Sequence, residues 1–367
     1  MLKRTLGLTA ASVVLSGTAI AGALAAPAAT LASGHNQAQV KALAGRKVNL
    51  LESGSTLLYP LFEKWIPVYE RQHKAVSITP AGTGSGTGIS EALAGTIQIG
   101  ASDAYMSNSQ MTPDIENIPL AISAQVIAYN LPGLNNKHLN LSGSILAGIY
   151  TGKIKKWNDA AIQKANPHVK LPNHAIIPVR RSDASGDSFL FTTYMTDTAP
   201  KVWTVGFNTS PSWPAVSNEV SAEGNGGMVQ ALQQNKYAIA YVGISYLNEM
   251  VHDKLGYGAL QNKNGNYVMP SRKNIVAAAQ AMVPHTPKDE RVSLIYAPGK
   301  TSYPIINYEY AIVKKTQSSK AIANAMKTFL MWDIKVGNQG KFLNTVHFLP
   351  LPASVRTLSF HQIRNIH

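Results

Sequence analysis

The sequence predicts an α/β fold. Three observations carry that prediction: short apolar segments of strand length, loops rich in Gly, Ser and Thr directly after them, and apolar residues at helical spacing after the loops. Such alternation argues an α/β fold. The chain has 367 residues, enough for one large domain or two ordinary ones, and its 45% hydrophobic and 14% charged content is globular.

Taken in order, residues 1–33 read as a secretory signal. Lys3 and Arg4 precede an apolar stretch from Leu6 to Leu24, and small residues around Ala23–Ser33 offer cleavage sites. Ala, Gly, Ser and Thr interrupt the stretch, which barely has the length to span a bilayer, so a signal is favoured over an anchor. Residues 34–47 form a polar lead-in. Val48–Leu51 is the first strand and Ser53–Thr56 its loop. Leu57, Leu58, Leu61, Phe62, Trp65, Ile66 and Tyr69 then recur at helical spacing. Pro60 falls in the first turn, where N–H groups lack helical partners anyway. Val76–Thr79 is the second strand and Gly82–Gly88 its loop, with Ile89, Ala92 and Leu93 on the next helix face. Ile97–Ile99 is a third strand running into Gly100-Ala101-Ser102-Asp103. Ile177–Val179 is a later strand that leads through Arg180–Asp187 into a helix marked by Phe189, Phe191, Tyr194 and Met195.

Three of these loops place Ser, Thr and Gly immediately before a helix. Each alone is ordinary N-capping. Together, at the carboxyl ends of strands in an open sheet, their N–H and hydroxyl groups can converge on one small anion, which the helix dipoles favour. Arg181, Asp103 and Asp187 accompany them. An arginine suits an anion. A carboxylate repels one unless the ligand carries a proton, because an ionised carboxylate only accepts hydrogen bonds. Phosphate, with a second pKa of about 6 as an ester, still offers an O–H near neutral pH. Sulfate does not, and would face the carboxylate with no bridging proton. The plainer alternative makes Asp103 a helix N-cap and Asp187 a first-turn charge favoured by the dipole.

Other chemistries lack their parts. The sequence has no cysteine, which excludes thiolate catalysis, zinc–cysteine sites and a lipid-anchored cysteine. Gly82–Gly88 contains no complete G-x-G-x-x-G. Gly152-Lys153 lacks the rest of a P-loop, since Ala147 and Ile154 stand where Gly and Ser or Thr belong. No G-x-S-x-G or H-E-x-x-H occurs. The ten histidines, His35, His73, His138, His168 and His174 among them, show no ligand spacing. No metal and no cofactor are expected. Net charge is +14, and about +12 without Lys3 and Arg4. It attracts anions or an anionic envelope, or adapts the chain to an acidic milieu. No basic run carries interleaved aromatics, so nucleic acid is not an expected partner.

Several stretches, in this order and over nearly all of the chain beyond the signal, carry a family resemblance. They are SGSTLLYPLFEKW (Ser53–Trp65), GTGSGTGI (Gly82–Ile89), IGASDAYMS (Ile99–Ser107), PLAISAQVIAYNLPG (Pro119–Gly133) and ILAGIYTGKIKKWND (Ile145–Asp159). RRSDASGDSFLFTTYM (Arg180–Met195), AIAYVG (Ala238–Gly243), YPIINYEY (Tyr303–Tyr310) and VHFLPLP (Val346–Pro352) complete the set. The chain resembles the phosphate-binding proteins of Pst-type ABC transporters, in their actinobacterial-like branch. The resemblance implies a two-lobed type II periplasmic-binding-protein fold with a ligand cleft between lobes that close by hinge bending. One lobe would be 48–124 plus 304–355, the other 125–302.

For the site, the resemblance implies that Thr56, the Leu57 N–H, Ser85, Asp103, Arg181, Ser185, Gly186 and Asp187 bind phosphate. Asp103 would accept the ligand's proton, with Ser55 and Asp183 in support and Asp183 steadying Arg181. It implies a non-catalytic monomer, exported to the periplasm or envelope exterior and not a lipoprotein, that hands inorganic phosphate to permease subunits. Two positions depart from the family pattern. Many relatives have Thr or Ser at Asp187, and a second carboxylate asks for a second ligand proton, favouring monobasic phosphate. Relatives often carry Gly at Ala184, where alanine is strained if φ is positive. Binding of another tetrahedral oxyanion (arsenate, sulfate), a secreted phosphatase-like enzyme, and a surface adhesin that keeps only the fold are the alternatives.

Overall fold

The computed structural model describes residues 47–367; the expected signal at 1–33 and the lead-in through Arg46 lie outside the described residues. Its strands are β1 (Val48–Gly54), β2 (Val76–Thr79), β3 (Ile99–Ser102), β4 (Ile115–Tyr129), β5 (Asn140–Leu141) and β6 (Ile177–Arg181). They continue with β7 (Val220–Ala222), β8 (Ala238–Gly243), β9 (Gly256–Tyr257), β10 (Ala259–Gln261), β11 (Tyr267–Val268) and β12 (Ile306–Lys314). One long sheet has the order β2-β1-β3-β12-β4-β8-β6-β7, with β9 also on β4, and β11-β10-β5 form a small second sheet.

β4 joins the halves of the long sheet. All 15 of its residues are buried, which is why ISAQVIAY reads as a nearly continuous apolar run rather than an alternating one. Through Ala124 it pairs antiparallel with β12; from Gln125 it pairs antiparallel with β8. In the first half β1 runs parallel to β2 and β3. In the second, β6 runs parallel to β7 and β8. β12 lies between β3 and β4, antiparallel to both, and its register against β4 slips between Glu309 and Tyr310.

The first helix, Tyr59–Gln72, begins later than its apolar spacing suggests. Leu57 and Leu58 instead form a buried turn, closed by the Leu58 N–H on Ser55 Oγ at 2.9 Å and the Tyr59 N–H on the Ser55 carbonyl at 3.0 Å. Leu61, Phe62, Trp65, Ile66 and Tyr69 then line its core face. Phe329, from helix Lys320–Trp332, packs on Phe62 and Tyr69 with ring centroids 6.2 and 4.9 Å away. β1 and β6 extend to Gly54 and Arg181, and β3 begins at Ile99, so Gly100–Ser102 lie within a strand. The small residues Ser53 and Gly54 pair there with Gly100 and Ala101, which brings β1 and β3 to the same edge. The last helix, Ala353–Arg364, covers β4: Gln362 accepts from the Asn117 N–H at 3.1 Å and Ser359 donates to the Pro119 carbonyl at 3.3 Å. Among the described residues, no helix is long and apolar enough to cross a membrane.

Candidate anion-binding site

Parallel strands present their carboxyl ends together, and ligands collect there. β1 delivers Ser55 and Thr56 to this edge, β3 delivers Asp103, β6 ends on Arg181, and β7 leads into Gly224-Asn225. The structure gathers all ten residues singled out in the sequence, from Ser55 to Asp187, around these strand ends.

Asp103 is followed by a loop and β4, not by a helix, so it caps nothing. Its carboxylate is buried and accepts from the Ser55 hydroxyl on Oδ1 and from Ser85 Oγ on Oδ2 at 3.2 Å. The Asp103 N–H donates back to Ser85 Oγ at 3.1 Å. Ser85 opens helix Ser85–Ala94, after Gly84, whose φ of +93° turns the chain into the helix. Ser185 caps helix Gly186–Thr198 by accepting from the Ser188 N–H at 3.2 Å. The first-turn N–H groups of Gly186 and Asp187 therefore have no intrahelical acceptor. A Cβ added at Gly186 would lie 2.4 Å from both Asp103 Oδ2 and Ser85 Oγ.

Arg181 is gripped from two sides. Asp183 takes Nε on Oδ1 at 2.6 Å and Nη2 on Oδ2, while Asp187 Oδ2 takes Nη1 at 3.0 Å. Asp187 also accepts from Gln125 Nε2 at 3.0 Å and Asn225 Nδ2 at 2.6 Å. Thr56 Oγ1 accepts from the Asn225 N–H at 3.2 Å and from its Nδ2 at 3.0 Å. The Leu57 side chain lies in the core, and its carbonyl accepts from Ser245 Oγ at 2.8 Å. Among the described residues five non-glycine positions have positive φ, and Ala184 is not one of them, so it carries no such strain. Its carbonyl accepts from the Gly86 N–H at 2.8 Å.

Burial, then the nearby Asp187 charge, pushes the Asp103 carboxyl up to about 7, although Glu309, Ser55 and Arg181 oppose the rise. Burial raises Asp187 as well, against the lowering effect of Arg181, Gln125 and Asn225. Burial disfavours the charge on Arg181, but Asp183 and Asp187 outweigh it and hold the guanidinium ionised. Among the described residues, no three His, Asp or Glu side chains are placed to hold a metal ion. The arrangement is an arginine, two helix N-termini and several hydroxyls around a buried carboxyl group.

Sequence reasoning missed Asn225, Gln125 and Glu309. Asn225 sits in Gly224-Asn225-Gly226-Gly227, which follows β7 and opens helix Gly224–Gln234. It is a fourth glycine-rich loop between a strand and a helix, with Asn in place of Ser or Thr. Gln125 and Glu309 are polar residues in buried, mostly apolar strands, each two positions after another polar residue, Ser123 or Asn307, and those interruptions were their signal.

Comparison with known proteins adds to this geometry. The PBP superfamily domain matches residues 12–334. The phosphate-binding protein PstS of Methanocaldococcus jannaschii is 32% identical over 336 residues, covering 86% of this chain and 85% of that protein. The PstS of Xylella fastidiosa strain 9a5c is 34% identical over 313 residues, covering 84% and 83%. Among solved structures, the phosphate-binding protein of Stenotrophomonas maltophilia superposes with a TM-score of 0.66 at 18% identity, covering 86% of this chain and 94% of that one. At that identity the superposition speaks for the fold.

Proposed function

The chain belongs to the PBP superfamily and, within it, to the PstS phosphate-binding family with its two-lobed type II fold, and from that membership we infer that it captures inorganic phosphate for an ABC transporter. The observation that carries the chemistry is buried Asp103 in a site that also holds Arg181. An arginine alone would take any oxyanion; a carboxylate beside it favours one that brings a proton. In this reading Arg181, Thr56, Ser85, Ser185 and the N–H groups of Leu57, Gly186 and Asp187 replace the ligand's water, and Asp103 accepts its O–H. Ser55 orients Asp103, and Asp183 orients Arg181.

The lobes are 48–124 with 304–355, and 125–302. The change of partner along β4 at Ala124 and Gln125 supports that division. The bonds from Asn225 to Thr56 and from Gly86 to Ala184 join one lobe to the other and belong to the closed state. Capture is reversible and involves no chemical step. The protein works as an exported monomer that presents its closed form to permease subunits, and neither metal nor cofactor enters. Calorimetric titration of ligand-stripped protein is the test. One-to-one phosphate binding is expected, with arsenate competing and no heat from sulfate. Binding of neither phosphate nor sulfate would reduce the loops to helix caps and end the transport reading.

A further inference from the structure

We propose that Glu309 is a positioning residue of the phosphate site: it carries a proton, donates it in a hydrogen bond to Asp103, and so keeps Asp103 ionised and able to accept the O–H of the ligand. The proposal rests on the phosphate reading and adds a residue that does not touch phosphate.

Glu309 lies on β12 where the register against β4 slips, the kind of irregularity that re-aims a side chain next to a site. It is completely buried. Oε1 is occupied, accepting from Ser123 Oγ at 2.5 Å and Asn307 Nδ2 at 2.9 Å. No donor reaches Oε2. Asn307 Nδ2, which bonds Oε1, also reaches the Asp103 carbonyl at 3.3 Å, so β12 sets Glu309 beside Asp103, whose carboxyl is the partner we assign to Oε2. Two carboxylates cannot bond to each other, since both only accept; one of them must hold a proton. The surroundings decide which. Asp103 takes hydrogen bonds from Ser55 and Ser85 and lies within the field of Arg181. Glu309 has two neutral donors on one oxygen and no cation on any side. The charged groups that bear on the pair are Asp103 itself, then Asp187 and Arg181 beyond it, and β4 contributes only Ser123. Burial and the Asp103 charge raise Glu309 well above the usual carboxylate range. The proton therefore belongs on Glu309 Oε2, pointing at Asp103.

Hydrogen-bonding capacity closes on this assignment. A carboxylate offers about four lone-pair sites. Ser55 and Glu309 fill two on Asp103; with the Ser85 hydroxyl turned to phosphate, the remaining ones are open to the ligand's O–H. Without the Glu309 donor, burial and Asp187 would drive the proton onto Asp103 itself. A protonated Asp103 can donate to an oxyanion that has no proton, and the preference for phosphate over sulfate is lost.

The first test needs no ligand. The infrared spectrum of wild-type protein at pH 7, minus that of Glu309→Gln, should contain the carbonyl stretch of a protonated carboxylic acid. Its absence overturns the proposal whether or not phosphate binds. The second test is titration of three proteins with phosphate and sulfate. Glu309→Leu should weaken phosphate binding by about tenfold or more, the scale of a lost charge-assisted hydrogen bond, and should give sulfate a measurable heat. Glu309→Gln keeps a donor and cannot titrate; it should recover most of the phosphate affinity and flatten the alkaline limb of its pH profile. If Gln and Leu are equally impaired with the same pH profile as wild type, Glu309 is merely structural and the proposal fails. If wild-type protein shows the acid band but binds no phosphate, the proton assignment stands and the functional reading falls instead.

Discussion

Arg181 is charged, buried and doubly paired before any ligand is considered. Breaking up a buried pair leaves an uncompensated charge, which is far worse than the pair itself. Arg181→Ala should therefore reduce phosphate binding at least about a hundredfold, the combined scale of two charge-assisted bonds to the anion, and it should lower stability because Asp183 and Asp187 are left unpaired. Calorimetry and thermal unfolding read the two effects separately. Asp187 leads to a different expectation. Its three donors leave room for one more, which a second proton on phosphate can fill. Monobasic phosphate predominates at pH 5 and dibasic at pH 8, so affinity should fall between those values. Asp187→Asn should remove most of that fall. A wild-type affinity that is flat from pH 5 to pH 8 would mean that Asp187 serves Arg181 alone.

Helix Gly186–Thr198 begins where the two halves of the sheet meet. Its first residue approaches Asp103 and Ser85 of the other half so tightly that one methyl group does not fit. Gly186→Ala should leave each half folded, with a nearly unchanged melting temperature, and weaken phosphate binding about tenfold or more by holding the halves apart, at the scale of lost charge-assisted bonds. Small-angle scattering should show a larger radius in the presence of phosphate than wild type has. The loop before this helix was legible in the sequence, as were those at Ser53 and Gly82, because Ser, Thr and Gly ahead of a helical run is a local pattern. Asp103 and Arg181 were legible because charge is conspicuous at a strand end. Gln125 and Glu309 were not, because their meaning lies across the sheet: 62 residues separate Gln125 from Asp187, and β12 reaches Asp103 only after the chain has returned from the second half. Helix starts were misjudged for a related reason. Leu57 and Leu58 have the spacing of a helix, but the Ser55 side chain takes the Leu58 N–H and makes a turn of them. The proposed division into lobes rests on chain order, whereas the change of β4's partner at Ala124 can be read only from pairing.

At the scale of the whole molecule, acids are buried more deeply than the +14 charge suggests. Glu52 and Asp333 are buried with no hydrogen-bond partner on either carboxylate oxygen. Burial raises both well above the ordinary carboxylate range and pushes Glu290 up to about 8. In the unfolded chain these groups ionise near pH 4, so above that the unfolded state binds fewer protons than the native one. Their contribution is fully present below about pH 4 and is lost as pH rises toward the raised native values, by about 1.4 kcal/mol per group per pH unit. With enough salt to screen surface repulsion, the unfolding midpoint should be higher at pH 5 than at pH 8, and Glu52→Gln should reduce the difference. A higher midpoint at pH 8 would count against neutral buried acids.

β12 has a further consequence, in the order of assembly. It fills the space between β3 and β4, yet it is made roughly two hundred residues after β3, a long-range closure that slows folding. The intervening segment carries β6, β7 and β8 and can complete its own half of the sheet first. Until β12 arrives, β3 and the early part of β4 stand as open edges, ready to recruit a strand from another chain. Pulse-labelled hydrogen exchange should find β6 to β8 protected before β1 and β3. If that order holds, the half that supplies Asp103 matures last, and aggregation of half-unfolded molecules should run through its open edges.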